Sequence, residues 1–161
     1  MEKKKILIYG YGNPGRMDDG LGNEFVNLCE QHLKEFNEFI QIETDSNYQL
    51  NIEDAEIISQ YDFVFFTDAS QENIENYSFT KVDPDKAQIE FTMHAVSVSY
   101  IVHIARTIYD KIPKAYLIHI KGYEWEFQEG ITMRASENLN KAFMFFKKIL
   151  KDLNSVDKYI S

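Results

Sequence analysis

The sequence predicts a three-layer α/β/α sandwich around a twisted, mostly parallel sheet, in one domain spanning residues 1–161. Three observations carry this. Short apolar runs such as "ILI" at 6–8, "DFVFFTD" at 62–68 and "AYLIHI" at 115–120 read as strands covered on both faces. Between them lie stretches whose apolar residues recur at helical spacing. A third is size: 161 residues, 44% hydrophobic and 14% aromatic, suffice for a core that buries roughly 70% of the unfolded surface.

The elements follow in order. Residues 5–10 form a strand ended by Gly10, and residues 19–36 a helix with Leu21, Phe25, Leu28, Cys29, Leu33 and Phe36 on one face. "FIQIE" at 39–43 alternates like a strand, and residues 52–60 form a short helix with Asn51 as N-cap. After the strand at 62–68, "YSFTKV" and "QIEFTM" are candidate short strands. Residues 95–110 form a helix with Val98, Ile101, Ile104, Ala105 and Ile108 on its apolar face, and Pro113 separates it from the strand at 115–120. Residues 136–153 form the last helix, with Leu139, Ala142, Phe143, Phe146, Ile149, Leu150 and Leu153 on its stripe, and the tail from Asn154 is expected to fray.

Charge and composition narrow the function. The net charge is −9, and the only basic block is Lys3-Lys4-Lys5. Nucleic acid and anionic membranes both call for clustered Lys and Arg, so neither is expected as a partner. Cys29 is the single cysteine, which removes intrachain disulfides and cysteine-based zinc sites. No apolar run is long enough to cross a bilayer and no signal peptide is expected, so a cytoplasmic location is.

The most informative stretch is "YGYGNPGRMDDGLG" at 9–22, which holds Gly10, Gly12, Gly15, Gly20 and Gly22 of only 7 glycines. Gly10, Gly12 and Gly15 fit G-x-G-x-x-G, the dinucleotide spacing. That chemistry needs backbone N–H groups and a helix N-terminus facing a pyrophosphate. Here Asp18 and Asp19 place negative charge where the phosphates would lie, and Pro14 removes a donor. Asp18 as N-cap and Asp19 in the first turn explain a carboxylate there, but not the crowding of glycines.

Two further residues join them. Asp68 ends a buried strand, at the edge where open α/β sheets place ligands; its blander role is a turn with Ser70. His94 falls in the connection before a helix, where a histidine bonded to backbone is the ordinary reading. Among the other histidines, His32 and His103 border helix faces, and His119 lies within a buried strand as a satisfied core residue. The β/α alternation puts Asp19, Asp68 and His94 on one side of the sheet. Two carboxylates and an imidazole suit a first-row divalent metal, without choosing between nickel, zinc and iron. They equally suit metal-free acid–base chemistry.

With these motifs the chain resembles the hydrogenase maturation peptidases. The matching segments are "ILIYGYGNPGRMDDGLG", "YQLNIEDAEII", "DFVFFTDAS", the His94 segment and "IKGYEWEFQEGIT", which together cover most of the chain. The resemblance implies a phosphorylase/hydrolase-like fold. It also implies an endopeptidase that removes the C-terminal extension of a nickel-iron hydrogenase large-subunit precursor after nickel insertion. Carried over, Asp19, Asp68 and His94 contact the nickel and act in catalysis. Asp19 stands where many relatives have glutamate, one methylene longer, and "HAVSVSYIV" lacks a proline that often follows the serine. Nickel arrives with the precursor. In the isolated protein the three-ligand site is expected to be weak, and empty or holding another divalent ion. The family implies a monomer.

"GYGNPG" also resembles the start of peptidyl-tRNA hydrolases, but "RMDDGLGN" follows where those have Thr-Arg-His-Asn, and the acidic charge suits tRNA poorly. A third alternative is a nickel-sensing or chaperone module with the same ligands and no turnover. "YEWEF" at 123–127 reads as an amphipathic strand, or as a docking edge for a partner. "DSNYQL" at 45–50 reads as a turn or as a lining of the peptide cleft.

Overall fold

The computed structural model describes residues 3–36, 40–86 and 96–161. Strand β1 (Lys4–Tyr11) sits inside the sheet, with β2 (Ile40–Asn47) and β3 (Phe63–Ser70) parallel on either side of it. Beyond β3 lies parallel β5 (Lys114–Lys121), and antiparallel β4 (Tyr77–Lys81) forms the far edge, giving the order β2-β1-β3-β5-β4.

Alternation along the strands sorts the core into two layers. Ile6, Ile8, Phe63 and Phe65 face one side, where α1 (Leu21–Gln31) and α5 (Met133–Leu150) cover them. Phe146 packs edge-on against both Phe25 and Phe65, with ring centroids 5.4 and 5.0 Å apart. Leu7, Tyr9, Val64 and Phe66 face the other side, under the helix over Asp54–Ile58, which follows α2 (Leu33–Phe36) and is α3, and under α4 (Val98–Tyr109). The three-layer α/β/α fold is as the sequence predicts.

Several local expectations are corrected. The helix expected at 19–36 is a 3-10 turn (Met17–Gly20), then α1 and α2, parted at His32, whose N–H bonds back to Cys29 and whose Nδ1 meets the Leu28 carbonyl at 2.8 Å. Asn51 does not cap α3. The buried Asp54 carboxylate accepts from the Asn51 N–H at 2.7 Å and from the Tyr9 hydroxyl at 2.9 Å, tying α3 to β1. Ile108 is 66% exposed, because the last turn of α4 runs beyond the contacts that bury Ile101, Val102 and Ala105. "YSFTKV" does form β4. "QIEFTM" lies outside the described residues.

The tail does not fray. Leu153–Tyr159 forms a 3-10 helix with Val156 buried, and Tyr116 donates to Asp157 at 2.6 Å. The Ser161 N–H then donates to the Phe79 carbonyl at 2.8 Å, and its hydroxyl accepts from the Phe79 N–H at 2.9 Å. These bonds occupy part of the outer rim of β4, which would otherwise offer unpaired backbone groups.

Candidate active site

The chain leaves β1 toward β2 on one side and later enters β3 on the other. The crevice at the carboxyl ends of β1 and β3 is therefore a switch point, where open sheets place ligands. The glycine-rich turn occupies it. A Cβ on Gly22 would lie 2.4 Å from the Thr67 carbonyl oxygen, and one on Gly10 would lie 2.2 Å from that of Gly22. The start of α1 thus presses backbone-to-backbone on the ends of β1 and β3, which only glycine permits. Gly12 has φ +148°, and a Cβ there would lie 2.0 Å from the Asp19 carbonyl oxygen.

The turn has no N–H left for a pyrophosphate. Gly12 donates to the Asn47 carbonyl, Asn13 to the Asp19 carboxylate and Gly15 to the Asn13 side chain. Arg16, Met17, Asp18 and Asp19 donate to the carbonyls of Asn13, Gln128, Glu124 and Arg16, and Pro14 has no N–H. The glycines serve close packing and presentation of a carboxylate.

That carboxylate is Asp19, half-buried, its Oδ2 held 2.9 Å from the Asn13 amide. Asp68 stands beside it at the end of β3. Its carboxyl is pushed up to about 7, first by burial and then by the negative charge of Asp19. The Ala69 N–H and the Tyr11 hydroxyl partly offset this by bonding the ionised form. Burial and the Asp68 carboxylate push the Tyr11 phenol well above its ordinary value. Tyr11 is a site residue that sequence reading missed; its place in β1 between two glycines gave no sign that its hydroxyl reaches Asp68.

Of the three predicted ligands, the fold brings Asp19 and Asp68 together. His94 lies outside the described residues. Among the described residues no cluster of three His, Cys, Asp or Glu side chains is placed to hold a metal. His119 sits beside Asp68 in the β3–β5 register. It is half-buried, and burial lowers its pKa.

Asp18 is not a helix cap. It is fully buried, and its carboxylate accepts from the N–H groups of Tyr123, Glu124 and Thr132 and from the Thr132 hydroxyl, at 2.8 to 3.1 Å. "YEWEF" is accordingly a loop and not a strand, since its first N–H groups bond to Asp18 in place of a ladder. Its Phe127 is 87% exposed, with the Arg16 guanidinium 4.9 Å from its ring centroid. "DSNYQL" continues β2 through Asn47 before turning, which places Asn47 beside Tyr11 at the same sheet end.

No protein-family model and no curated protein matches this sequence. Solved structures do match it. The hydrogenase maturating endopeptidase HybD from E. coli superposes with a TM-score of 0.72 at 18% identity, covering 92% of this chain and 93% of that one. The [NiFe] hydrogenase maturation protease HycI from Thermococcus kodakarensis gives 0.68 at 22%, covering 92% and 94%. A hydrogenase 2 maturation peptidase from a Thaumarchaeota archaeon gives 0.66 at 18%, covering 92% and 99%. The chain has the fold of these peptidases over nearly its whole length.

Proposed function

We propose that this protein is an endopeptidase that removes the C-terminal extension of a nickel-iron hydrogenase large-subunit precursor once nickel is in place. The observation that carries the reading is the meeting of Asp19 and Asp68 at the switch point of a fold shared with such peptidases. Two carboxylates this close repel each other, and a divalent cation between them relieves the repulsion. The donor set is open: two carboxylates, with His94 proposed as third ligand, leave positions for groups of the precursor.

In this reading the nickel is part of the substrate, and the protein acts as a monomer. Its charge favours attack on the scissile carbonyl. Asp19, held by the Asn13 amide, presents a fixed carboxylate to it. Asp68, with its carboxyl pushed up to about 7, is part-protonated near neutral pH, and a cation held beside it would favour the ionised form. Water adds to the carbonyl carbon, the C–N bond breaks, and the amine leaves with a proton. Among the described residues no helix is long and apolar enough to cross a membrane.

The test is intact-mass analysis of a large-subunit precursor incubated with the protein, with and without nickel loading. Loss of one defined C-terminal peptide is expected only with nickel, and Asp19→Asn, Asp68→Asn and His94→Ala should each abolish it. An unchanged mass for a cognate, nickel-loaded precursor would replace the peptidase with a stoichiometric nickel-binding module.

A further inference from the structure

We infer that Asp18 is a positioning residue for this reaction: by gathering the 122–132 loop onto the glycine-rich turn, it sets the pose of Asp19 and one wall of the adjoining cleft. Full burial keeps Asp18 from touching substrate, so any role in the reaction is through its neighbours.

Four donors converge on it. Oδ2 accepts from the N–H groups of Tyr123 (2.8 Å) and Glu124 (3.1 Å) and from the Thr132 hydroxyl (2.9 Å), while Oδ1 accepts from the Thr132 N–H (2.8 Å). Only a carboxylate offers acceptors on both oxygens; asparagine must turn its NH₂ toward at least one N–H. The junction is reciprocal, since the Asp18 and Met17 N–H groups donate to the Glu124 and Gln128 carbonyls. Thr132 extends it to α5, whose first turn it caps by accepting from the Ala135 N–H. Gly122 admits the approach: a Cβ there would lie 2.8 Å from that of Asp18. No cation pairs with Asp18 among the described residues, so backbone dipoles and the α5 N-terminus balance its charge.

Two consequences bear on the chemistry. Asp19 is the next residue, and among the described residues its carboxylate is held by a single hydrogen bond, from the Asn13 amide. A turn clamped at Asp18 keeps that bond aligned. The same clamp sets the turn against the loop, and between them opens a cleft of about 450 Å³, with Pro14, Met17 and Gly20 on one wall and Glu129, Gly130 and Ile131 on the other. In the peptidase reading, on which the kinetic half of this proposal rests, that cleft, lined by Gly20 next in the chain to Asp19, takes the precursor chain.

The experiment pairs hydrogen exchange with kinetics on Asp18→Asn, on Thr132→Val, which removes one of the four bonds, and on Val156→Ala, a remote buried control. The Asn13 amide reports the seat of Asp19, and the Ile8 amide reports global opening. For Asp18→Asn, exchange at Asn13 should quicken at least tenfold with Ile8 unchanged, and kcat on nickel-loaded precursor should fall at least tenfold. Thr132→Val should lie between it and wild type, and decides the matter alone if Asp18→Asn does not fold. Loosened Tyr123 and Glu124 amides beside a wild-type Asn13, or a kcat no lower than the Val156→Ala control, would overturn the inference and leave Asp18 a structural tie. If the wild type itself leaves the precursor uncut, the peptidase reading fails, and exchange at Asn13 still decides whether Asp18 seats Asp19.

Discussion

At the scale of the residue, the site is a set of unfavourable placements held by packing. Asp68 shows the cost. Its folded pKa of about 7 lies above the ordinary carboxylate value of 3.8, so the folded state holds the proton more tightly. Its contribution to folding is therefore best at low pH and declines as pH rises from about 4 to 7. Asp68→Asn should melt higher than wild type in metal-free buffer at pH 8, with the gap closing toward pH 4; a gap independent of pH would contradict this account of Asp68. Gly22 shows the packing. An alanine methyl would strike the Thr67 and Tyr11 carbonyl oxygens at 2.4 and 2.9 Å, both backbone atoms that cannot rotate away. Gly22→Ala should cost at least about 2 kcal/mol in urea unfolding, and a neutral result would mean that α1 can lift from the sheet.

At the scale of the element, the last dozen residues and the loop after β5 behave unlike their sequences suggest. The segment after α5 is short and polar, features that normally mean fraying, yet Val156 is buried and Ser161 bonds the edge of β4. Ending the chain at Leu153 should remove about 2–3 kcal/mol, from one buried valine and a few hydrogen bonds. The expected fall in Tm is roughly 5–10 °C, and the freed β4 edge should promote self-association by light scattering. An unchanged Tm would restore the frayed tail. The glycine-rich turn spends every N–H from Gly12 to Asp19 within the fold, so equilibrium dialysis should show no NAD or FAD bound; binding would require the turn to rearrange.

At the scale of the whole molecule, the candidate site exists only because β1 and β3 are neighbours. Asp19 and Asp68 are 49 residues apart in the chain, and a cation shared between them would link the turn after β1 to the end of β3. Added cobalt or nickel should therefore raise Tm, more at pH 8 than at pH 6 because Asp68 must lose its proton. Asp19→Asn and Asp68→Asn should each remove the rise. A rise that survives both would place the metal elsewhere.

What could be read from the chain was whatever depends on local periodicity. Consecutive phenylalanines and a leucine-rich helical stripe mark which segments are strands or helices and which faces are apolar. Their alternation fixes a parallel sheet, because parallel neighbours need crossovers. Asp19 and Asp68 were legible as candidates since strand ends and first helical turns are local features too. The tertiary structure alone decided what each polar group meets. Asp18 looks like a cap until its oxygens find Tyr123, Glu124 and Thr132, over a hundred residues away. "YEWEF" alternates like a strand, but its donors are claimed by that carboxylate. Tyr11 gains its place through Asp68, and the tail its order through β4. Hydrophobic periodicity is written along one segment, whereas a hydrogen bond needs a partner that only the assembled chain brings near.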